Sequence, residues 1–576
     1  TAADPQAGVI FDGVLYNRPE LQDRLAPAPP QNDAALVLQA YRRWGAAVLE
    51  QMQGLFALLI WDADRDLLVA ARDRVGIYPL FYTEVGHAVL FSTSVRTLVG
   101  HPRVAGTVNR AALAEQLVDR WTQPDETHLA AVKRVGPGHI WQVAQGQRTT
   151  YRYWHALPPQ APVDWVREDE LDDQFSVLLN QAVARCLGSG PATLWLSGGL
   201  DSATVAMIAA DQRRQAGQPL PLAQSLVFPN PSCNEEVLQR GLAAALGLPQ
   251  DVIPMAQAVP TGTLLETALA MSAAWPVPLS HLYFPPYRYM IQEARAQGYQ
   301  TILTGSGGDE VLGVSLIYAA DLIRSLDFAG LYRLWDGMRR FYPLSAAEFA
   351  RMTLWTVGLR PLVKRAAART LRTLAPGRYA RRRAAQRIVP FPAWVAADPA
   401  LRRELAQRAT REVPVAPGKS FYVNSIADLL DTPLLVMTLE EMFEFGRHFG
   451  VLVQQIFWDA DLVAFLFRTP PELLNRGGQA RGLIRQPLAR RFPHLGFERQ
   501  VKVNTNDFYR PVLLQEGPRA WHALQGTPAL AELGLVDPPA LAQLITPLFA
   551  GGQPPMEELI RLWKVLSLEV WLQAHL

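Results

Sequence analysis

The sequence predicts an α/β protein in two parts: an N-terminal α+β sandwich, then a doubly wound parallel sheet with helical insertions. Three observations carry this expectation. From Val9 to Tyr153 short strands alternate with tight turns, LPPQAPVD at 157–164 has no periodicity, and beyond it short apolar runs lead repeatedly into amphipathic helices. With 576 residues the chain also exceeds what one hydrophobic core organises, so two domains are expected at 1–157 and 165–576.

Taken in order, VIFDGVLYN reads as a buried strand and DAALVLQAYRRWG as a helix. LFALLIWDADRDLLVAARD and PLFYTEVGHAVLFS each place two apolar runs about a polar turn, the pattern of a hairpin, and HIWQVAQGQRTTYRYW supplies the last strands of this part. After the connector, a helix over EDELDDQFSVLLNQAVARCL precedes three strand-to-helix units: ATLWL into SGGLDSATVAMIAADQRR, AQSLVF into NEEVLQRGLAAALG, and TILTG into a further helical region. Sheets built this way bind ligands beyond the carboxyl ends of their strands. Residues 314–450 read as mostly helical. Their basic run, from Lys364 and Arg365 through Arg369, Arg372 and Arg378 to Arg387, is a solvated face or a docking surface for an acidic segment.

Composition excludes several classes. A formal charge of +2, from 55 basic and 53 acidic side chains, gives no global field for nucleic acid or membrane. Two cysteines, Cys186 and Cys233, make neither a disulfide framework nor a four-thiolate zinc site. No apolar run reaches the roughly 20 residues of a membrane helix and the first residues, TAADPQAGV, lack a basic-then-apolar pattern, so a cytoplasmic, reducing location is expected. The chain begins at Thr1 rather than Met with a strand already due by residue 9, so its natural start is expected to lie upstream.

The chemistry concentrates in two loops. In LWLSGGLDSATVA, a strand meets a helix through Ser197, Gly198, Gly199, Leu200, Asp201 and Ser202. Glycines let backbone approach a phosphate, and N–H groups at a helix start, with the two serine hydroxyls, hold its oxygens. Asp201 adds a carboxylate there, as a Mg²⁺ ligand would. TILTGSGGDEVLG repeats the design: Gly305, Ser306, Gly307 and Gly308 follow a strand and lead to Asp309 and Glu310. Two carboxylates at one sheet edge suit a hard cation bridging phosphate oxygens.

SGGLDS resembles the pyrophosphate loop of the N-type ATP pyrophosphatases, and GSGGDE resembles the second signature of the asparagine synthetase family. The resemblance implies ATP and Mg²⁺ as cofactors, Asp201 and Asp309 as the metal pair, and Ser197 to Ser202, Val227 and Gly305 to Gly308 as the nucleotide site. It further implies attack of a carboxylate on the α-phosphate, release of pyrophosphate and transfer of the acyl group to an amine. In the first part VIFDGVLYNRPEL is similar to the family's NGEIYN segment and ARDRVGIYPLFY to its RDxxGxxPLYY stretch, while RVGPGHIWQVAQGQRTTYRYW resembles the segment that closes its amidotransferase domain. An Ntn-type, glutaminase-like sandwich is therefore implied for residues 1–157.

Departures from the family pattern narrow the reading. Asp12-Gly13-Val14 replaces the Asn-Gly-Glu that helps hold glutamine, and an apolar Val14 cannot pair with an ammonium, although Asp33 matches a pocket acid. On the strength of Val14 the first domain is expected to be a degenerate amidotransferase-like remnant; neither cysteine lies near the N-terminus, which carries less weight because the start is expected upstream. Ser306 stands where asparagine synthetases carry a glutamate and β-lactam synthetases a tyrosine that helps deprotonate the amine, and a serine is a poor base for an ammonium. The amine is then expected to belong to the substrate. GSGGDE, the helical insertion with ADLIRSLDFAGLYRLW and PFPAWVAADPALRREL, and FWDADLVAFLFRTPPELL followed by RGLIRQPL resemble the lasso peptide cyclases.

That likeness implies an AMP-forming amide ligase that adenylates an Asp or Glu side chain of a precursor peptide and closes it with the peptide's N-terminal amine. It implies a leader-binding protein and a leader peptidase as partners, and neither nucleic acid nor membrane. An asparagine synthetase or a β-lactam-type small-molecule ligase is the alternative. Arg481 sits where the family has a lysine that neutralises the α-phosphate and pyrophosphate; Arg485 shares the candidacy, and Lys502 is a further phosphate candidate. Glu441 and Glu444, one helical turn apart, are candidates for the base, with His448 a satisfied histidine or a further candidate. Trp275, Tyr283, Phe284 and Tyr287 either line a peptide pocket or pack in a core.

Overall fold

In the first part, nearly continuous apolar runs such as GLFALLIWD and LLVAAR pair into antiparallel sheets. The computed structural model describes residues 1–25, 30, 32–120, 123–158, 162–188, 190–259, 263–338, 345–378, 391–410, 420–476, 479–501 and 503–576. Nine strands come first: β1 Ala2–Ala3, β2 Ala7–Leu15, β3 Gly54–Asp62, β4 Leu67–Arg72, β5 Phe81–Val85, β6 Ala88–Ser92, β7 Lys133–Arg134, β8 His139–Ala144 and β9 Gln147–Arg152. One sheet has the order β1-β2-β3-β4-β8-β9, the other β6-β5-β7. The expected hairpins are β3–β4 and β5–β6, and the expected helix spans Asp33–Trp44. In β2, Gly13 (φ +149°) faces Phe56, and a Cβ there would stand 2.1 Å from the Leu55 carbonyl oxygen, so only glycine fits.

The second part holds a five-stranded parallel sheet of β10 Ala192–Trp195, β11 Leu222–Val227, β12 Gln250–Pro254, β13 Thr301–Thr304 and β14 Leu452–Gln455. Its order is β12-β11-β10-β13-β14. The chain moves outward from β10 in one direction and then returns to its other side, so the order reverses between β10 and β13. The two glycine loops leave the carboxyl ends of those two strands, where an open α/β sheet presents its ligand crevice. Helices fill most of 314–450, as expected, and the final helix Met556–His575 packs on Leu264–Ala274, with Ser272 and Ser567 hydroxyls 2.9 Å apart.

The helix Arg360–Leu374 buries no side chain, so Lys364, Arg365, Arg369 and Arg372 belong to a solvated face. The basic run beyond residue 378 lies outside the described residues. Among the described residues, no helix is long and apolar enough to cross a membrane.

One hydrophobic cluster runs across both parts, joining Leu55, Tyr78 and Trp141 to Leu194, Phe443 and Trp458. Ion pairs pin the same boundary: Arg72 and Arg134 both reach the buried Glu440, at 2.8 and 3.0 Å, and Arg74 meets Asp461 at 3.3 Å.

Candidate active site

The first glycine loop, the candidate phosphate loop, is closed by its own side chains. Gly198 (φ +87°) turns the chain, Gly199 caps the helix Leu200–Gln215, and the Ser197 and Ser202 hydroxyls lie 2.9 Å apart. The Ser202 hydroxyl also accepts from the Ser197 N–H at 3.2 Å and donates to the Gly199 carbonyl at 3.1 Å. Leu200 is buried and anchors the loop in the core rather than facing a ligand. Gln239 donates to the carbonyls of Ser197 and Leu226, each at 3.2 Å, tying this loop to the end of β11 beside Val227.

The second loop packs against the first through its glycines. A Cβ at Gly305 would stand 2.6 Å from the Ser202 nitrogen, and one at Gly308 would stand 2.4 Å from the Asp201 carboxyl carbon. Gly307 (φ +98°) has the Trp458 indole nitrogen 2.7 Å from where its Cβ would be. These glycines serve contact between loops as much as room for phosphate. Ser306, at the tip, is exposed.

This contact brings the two carboxylates to one place. Arg481 Nη1 lies 2.6 Å from Asp201 Oδ2 and its Nη2 lies 2.5 Å from Asp309 Oδ1. Both acids thus address a single cation-sized volume. Among the described residues there is no group of three or more His, Cys, Asp or Glu side chains able to hold a metal ion. A divalent cation held here by two carboxylates would complete its shell with phosphate oxygens and water, the habit of Mg²⁺. Beside the loop, Gln239 Oε1 and Gln500 Oε1 are buried and accept from no donor among the described residues. These two oxygens are acceptors and suit an amino or water hydrogen; what fits a triphosphate with its cation is the start of the helix Leu200–Gln215 beside the paired acids.

Other predicted residues separate into those at this edge and those elsewhere. Arg485 spends its donors on the carbonyls of Ala480, Phe497 and Gln500, at 3.1, 2.7 and 3.0 Å, and burial lowers its pKa, so it braces the chain rather than awaiting a phosphate. Lys502 lies outside the described residues. Glu441 and Glu444 do share the helix Pro433–His448. Glu441 accepts the Ser280 N–H at 2.9 Å and its hydroxyl, and burial pushes its carboxyl up to about 7. Glu444 instead accepts from Ser94 of the first part at 2.7 Å, with its pKa raised chiefly by burial. His448 packs edge-on against Trp275, ring centroids 5.1 Å apart.

The four aromatic candidates divide as well. Trp275 and Phe284 are buried against Phe445. Tyr287 stacks 4.7 Å from Trp195, the last residue of β10, and Tyr283 follows at 5.2 Å, both only partly buried. This row begins at the strand that carries the phosphate loop.

Sequence reasoning missed Glu235. It sits beside Gly198, whose Cβ would lie 3.0 Å from that of Glu235, and burial pushes its carboxyl up to about 7. Gln500 bridges the two, donating to the Gly198 carbonyl at 2.6 Å and to Glu235 Oε1 at 3.4 Å. In NEEVLQ nothing distinguishes this glutamate from an ordinary helix-start acid.

In the first part the glutamine-segment counterpart is occupied by structure. Asp12 accepts from the Tyr78 hydroxyl at 2.7 Å, from Thr93 at 3.2 Å and from Arg447 of the second part at 3.0 Å. Val14 pairs with Leu55 in the β2–β3 ladder, and Asp33 is bound by Arg18 at 2.6 Å. Cys186 and Cys233 are both buried, and burial drives the Cys186 thiol far above its usual range. RDRVGIYPLFY is a tie between the two parts: Arg72 reaches Glu440, and Asp73 accepts the N–H groups of Gly76 and Tyr78, each at 2.8 Å.

The crevice at the switch of strand order, two facing glycine loops and paired aspartates together form a candidate nucleotide site. Residues 174–573 match the family model described as asparagine synthase, and residues 1–154 match the model described as glutamine amidotransferase domain. The chain therefore belongs to the asparagine synthase family. It is 31% identical over 219 residues to asparagine synthetase [glutamine-hydrolyzing] 3 of Bacillus subtilis (strain 168), a match covering 36% of this chain and 35% of that protein. It is 28% identical over 346 residues to amidase chyE of Penicillium rubens, covering 56% and 49%. The chain spans about a third to a half of the length of these curated relatives.

Proposed function

We propose that the protein is an ATP-dependent, AMP-forming amide ligase that activates a carboxyl side chain of a peptide and closes it with an amine of the same peptide, as a lasso peptide cyclase does. Support for the ligase reading comes first from the paired loops at the sheet's switch point. Ser197, Ser202 and the N–H groups at the start of Leu200–Gln215 would orient the triphosphate, and Arg481 would neutralise charge as pyrophosphate leaves. Mg²⁺, bound by Asp201 and Asp309, would polarise the phosphate oxygens.

The observation that carries the choice of amine is the fate of Asp12, which is held by Tyr78, Thr93 and Arg447 rather than open to a glutamine. With the apolar Val14 beside it, this segment offers no open carboxylate to the ammonium of a glutamine. Glu441, with a carboxyl near neutrality, would accept the proton of the incoming ammonium. Tyr283 and Tyr287 would supply a wall for the peptide. A leader-binding protein and a leader peptidase are the partners this role requires.

The names of the relatives favour a second reading, a ligase of asparagine-synthetase type acting on a small molecule. Incubation with ATP, an ¹⁸O-labelled carboxyl peptide and ¹⁵N-glutamine separates the two. Transfer of ¹⁸O to AMP with loss of one water from the peptide supports cyclisation; ¹⁵N in free asparagine overturns it.

A further inference from the structure

Neutralising a phosphate does not account for where Arg481 lies. A guanidinium reserved for phosphate should lie where the phosphate will be, whereas this one lies between the two acids of the proposed metal site, 2.6 and 2.5 Å from their oxygens. The placement is built into the chain. Arg481 takes the left-handed backbone conformation (φ +56°), a strained state for any residue with a Cβ. Its N–H is anchored on Asn475 Oδ1 at 3.1 Å, and Gly482 follows so close to Arg476 that a Cβ would stand 2.4 Å from that carbonyl oxygen. The side chains of Arg481 and Asp201 are each 14% exposed, so the bond between them is largely shielded from water, while Asp309, 41% exposed, forms the open side of the site.

We infer that Arg481 is an internal counter-cation that takes the metal's place between Asp201 and Asp309 while no nucleotide is bound, and is exchanged for the metal when a triphosphate arrives. The inference rests on the ATP and Mg²⁺ reading of the two loops. Its physical content is a coupling. Without any cation the facing carboxylates would repel, so the guanidinium stabilises the resting site. A divalent ion entering alone must displace it, leaving an arginine in a partly buried place without its anionic partners. A triphosphate changes this balance because it offers the displaced guanidinium new oxygens. Metal and nucleotide should therefore each strengthen the binding of the other by one common factor, and Arg481 is the residue that sets that factor. The exchange also moves the guanidinium onto phosphate only after the metal is in place.

The test uses Mn²⁺ as the probe, titrated into the full chain and read as free Mn²⁺ by electron paramagnetic resonance, with and without α,β-methylene-ATP. In the unaltered protein the analogue should tighten Mn²⁺ binding by tens of fold, on the order of the larger couplings known between ligand sites. Arg481→Ala should bind Mn²⁺ alone at least about tenfold more tightly than the unaltered protein, and the analogue's effect should shrink by the same factor. Arg481→Lys, which keeps the charge, should fall between them, and it serves as the comparison if the alanine variant unfolds. Equal affinity of all three proteins for Mn²⁺ alone, with Mn²⁺ binding in the presence of the analogue intact, overturns the counter-cation inference and leaves the ATP reading standing. Absence of Mn²⁺ binding in every protein, even with the analogue, overturns both.

Discussion

At the scale of single residues, two carboxyls raised by burial, Glu441 buried and Glu235 partly buried, carry opposite-looking but related consequences. Glu441 is pushed up to about 7 by burial, so its protonated form is favoured in the fold. The stability this contributes is fully present below the ordinary glutamate pKa and is lost as pH rises through about 7, because the native state then holds a proton that the unfolded chain has released. Glu441→Gln should therefore raise the melting temperature at pH 8, by the equivalent of about 2–3 kcal/mol, and leave it unchanged near pH 4. Thermal unfolding at the two pH values checks this; an equal gain at both would assign the effect to packing. Glu235, also near 7, faces Gly198 and Gln500 at the phosphate loop. Neutral Glu235 tolerates an anion and ionised Glu235 repels it, so affinity for α,β-methylene-ATP should fall by about tenfold between pH 6 and pH 8.5. Glu235→Gln should flatten that decline in a calorimetric titration. Asp201, Asp309 and Arg481 were legible because motif context singles them out, whereas a lone glutamate at a helix start is indistinguishable from a solvated one. Arg485 looked equivalent to Arg481 one turn away, yet its direction is set by the carbonyls of Phe497 and Gln500, which come from a later segment.

At the scale of elements, the strands bearing the loops declared themselves through buried apolar runs ended by glycines. β12 (QDVIP) and β14 (LVQQ) did not, since their short half-polar segments lack a period and gain their place only by pairing with β11 and β13. The glycines were legible as turns but not as the surface where the loops touch, because that contact joins segments a hundred residues apart. It gives a sharp expectation. In Gly308→Ala the new methyl would overlap the Asp201 carboxyl, and Asp201 must give way before the helix starting at Gly308 does. The cost to stability should be about 1–3 kcal/mol, while Mn²⁺ bound together with α,β-methylene-ATP weakens by at least about tenfold. Unchanged metal binding in a folded Gly308→Ala protein would show that the two loops act separately.

At the scale of the whole molecule, the first part has a physical role that does not depend on glutamine. Its sheet shares a hydrophobic cluster with the parallel sheet, its Arg72 and Arg134 end on Glu440 of the second part, and Arg447 of the second part ends on its Asp12. The helix that receives them, Pro433–His448, is the same one that carries Glu441, so the first part fixes the orientation of the proposed base. Glu440 is the centre of this tie: it is buried, and both Arg72 and Arg134 donate to it. Removing one partner leaves a buried carboxylate short of compensation, which costs far more than the pair contributes when intact. Arg72→Met should thus destabilise the protein by on the order of 3 kcal/mol, and adding Glu440→Gln should recover part of that loss because the uncompensated charge is gone. A shared core also predicts that the intact chain melts in one calorimetric transition. Two resolved transitions in the unaltered protein, with Arg72→Met shifting only the lower one, would show instead that the parts unfold independently and that Glu441 is held by the second part alone.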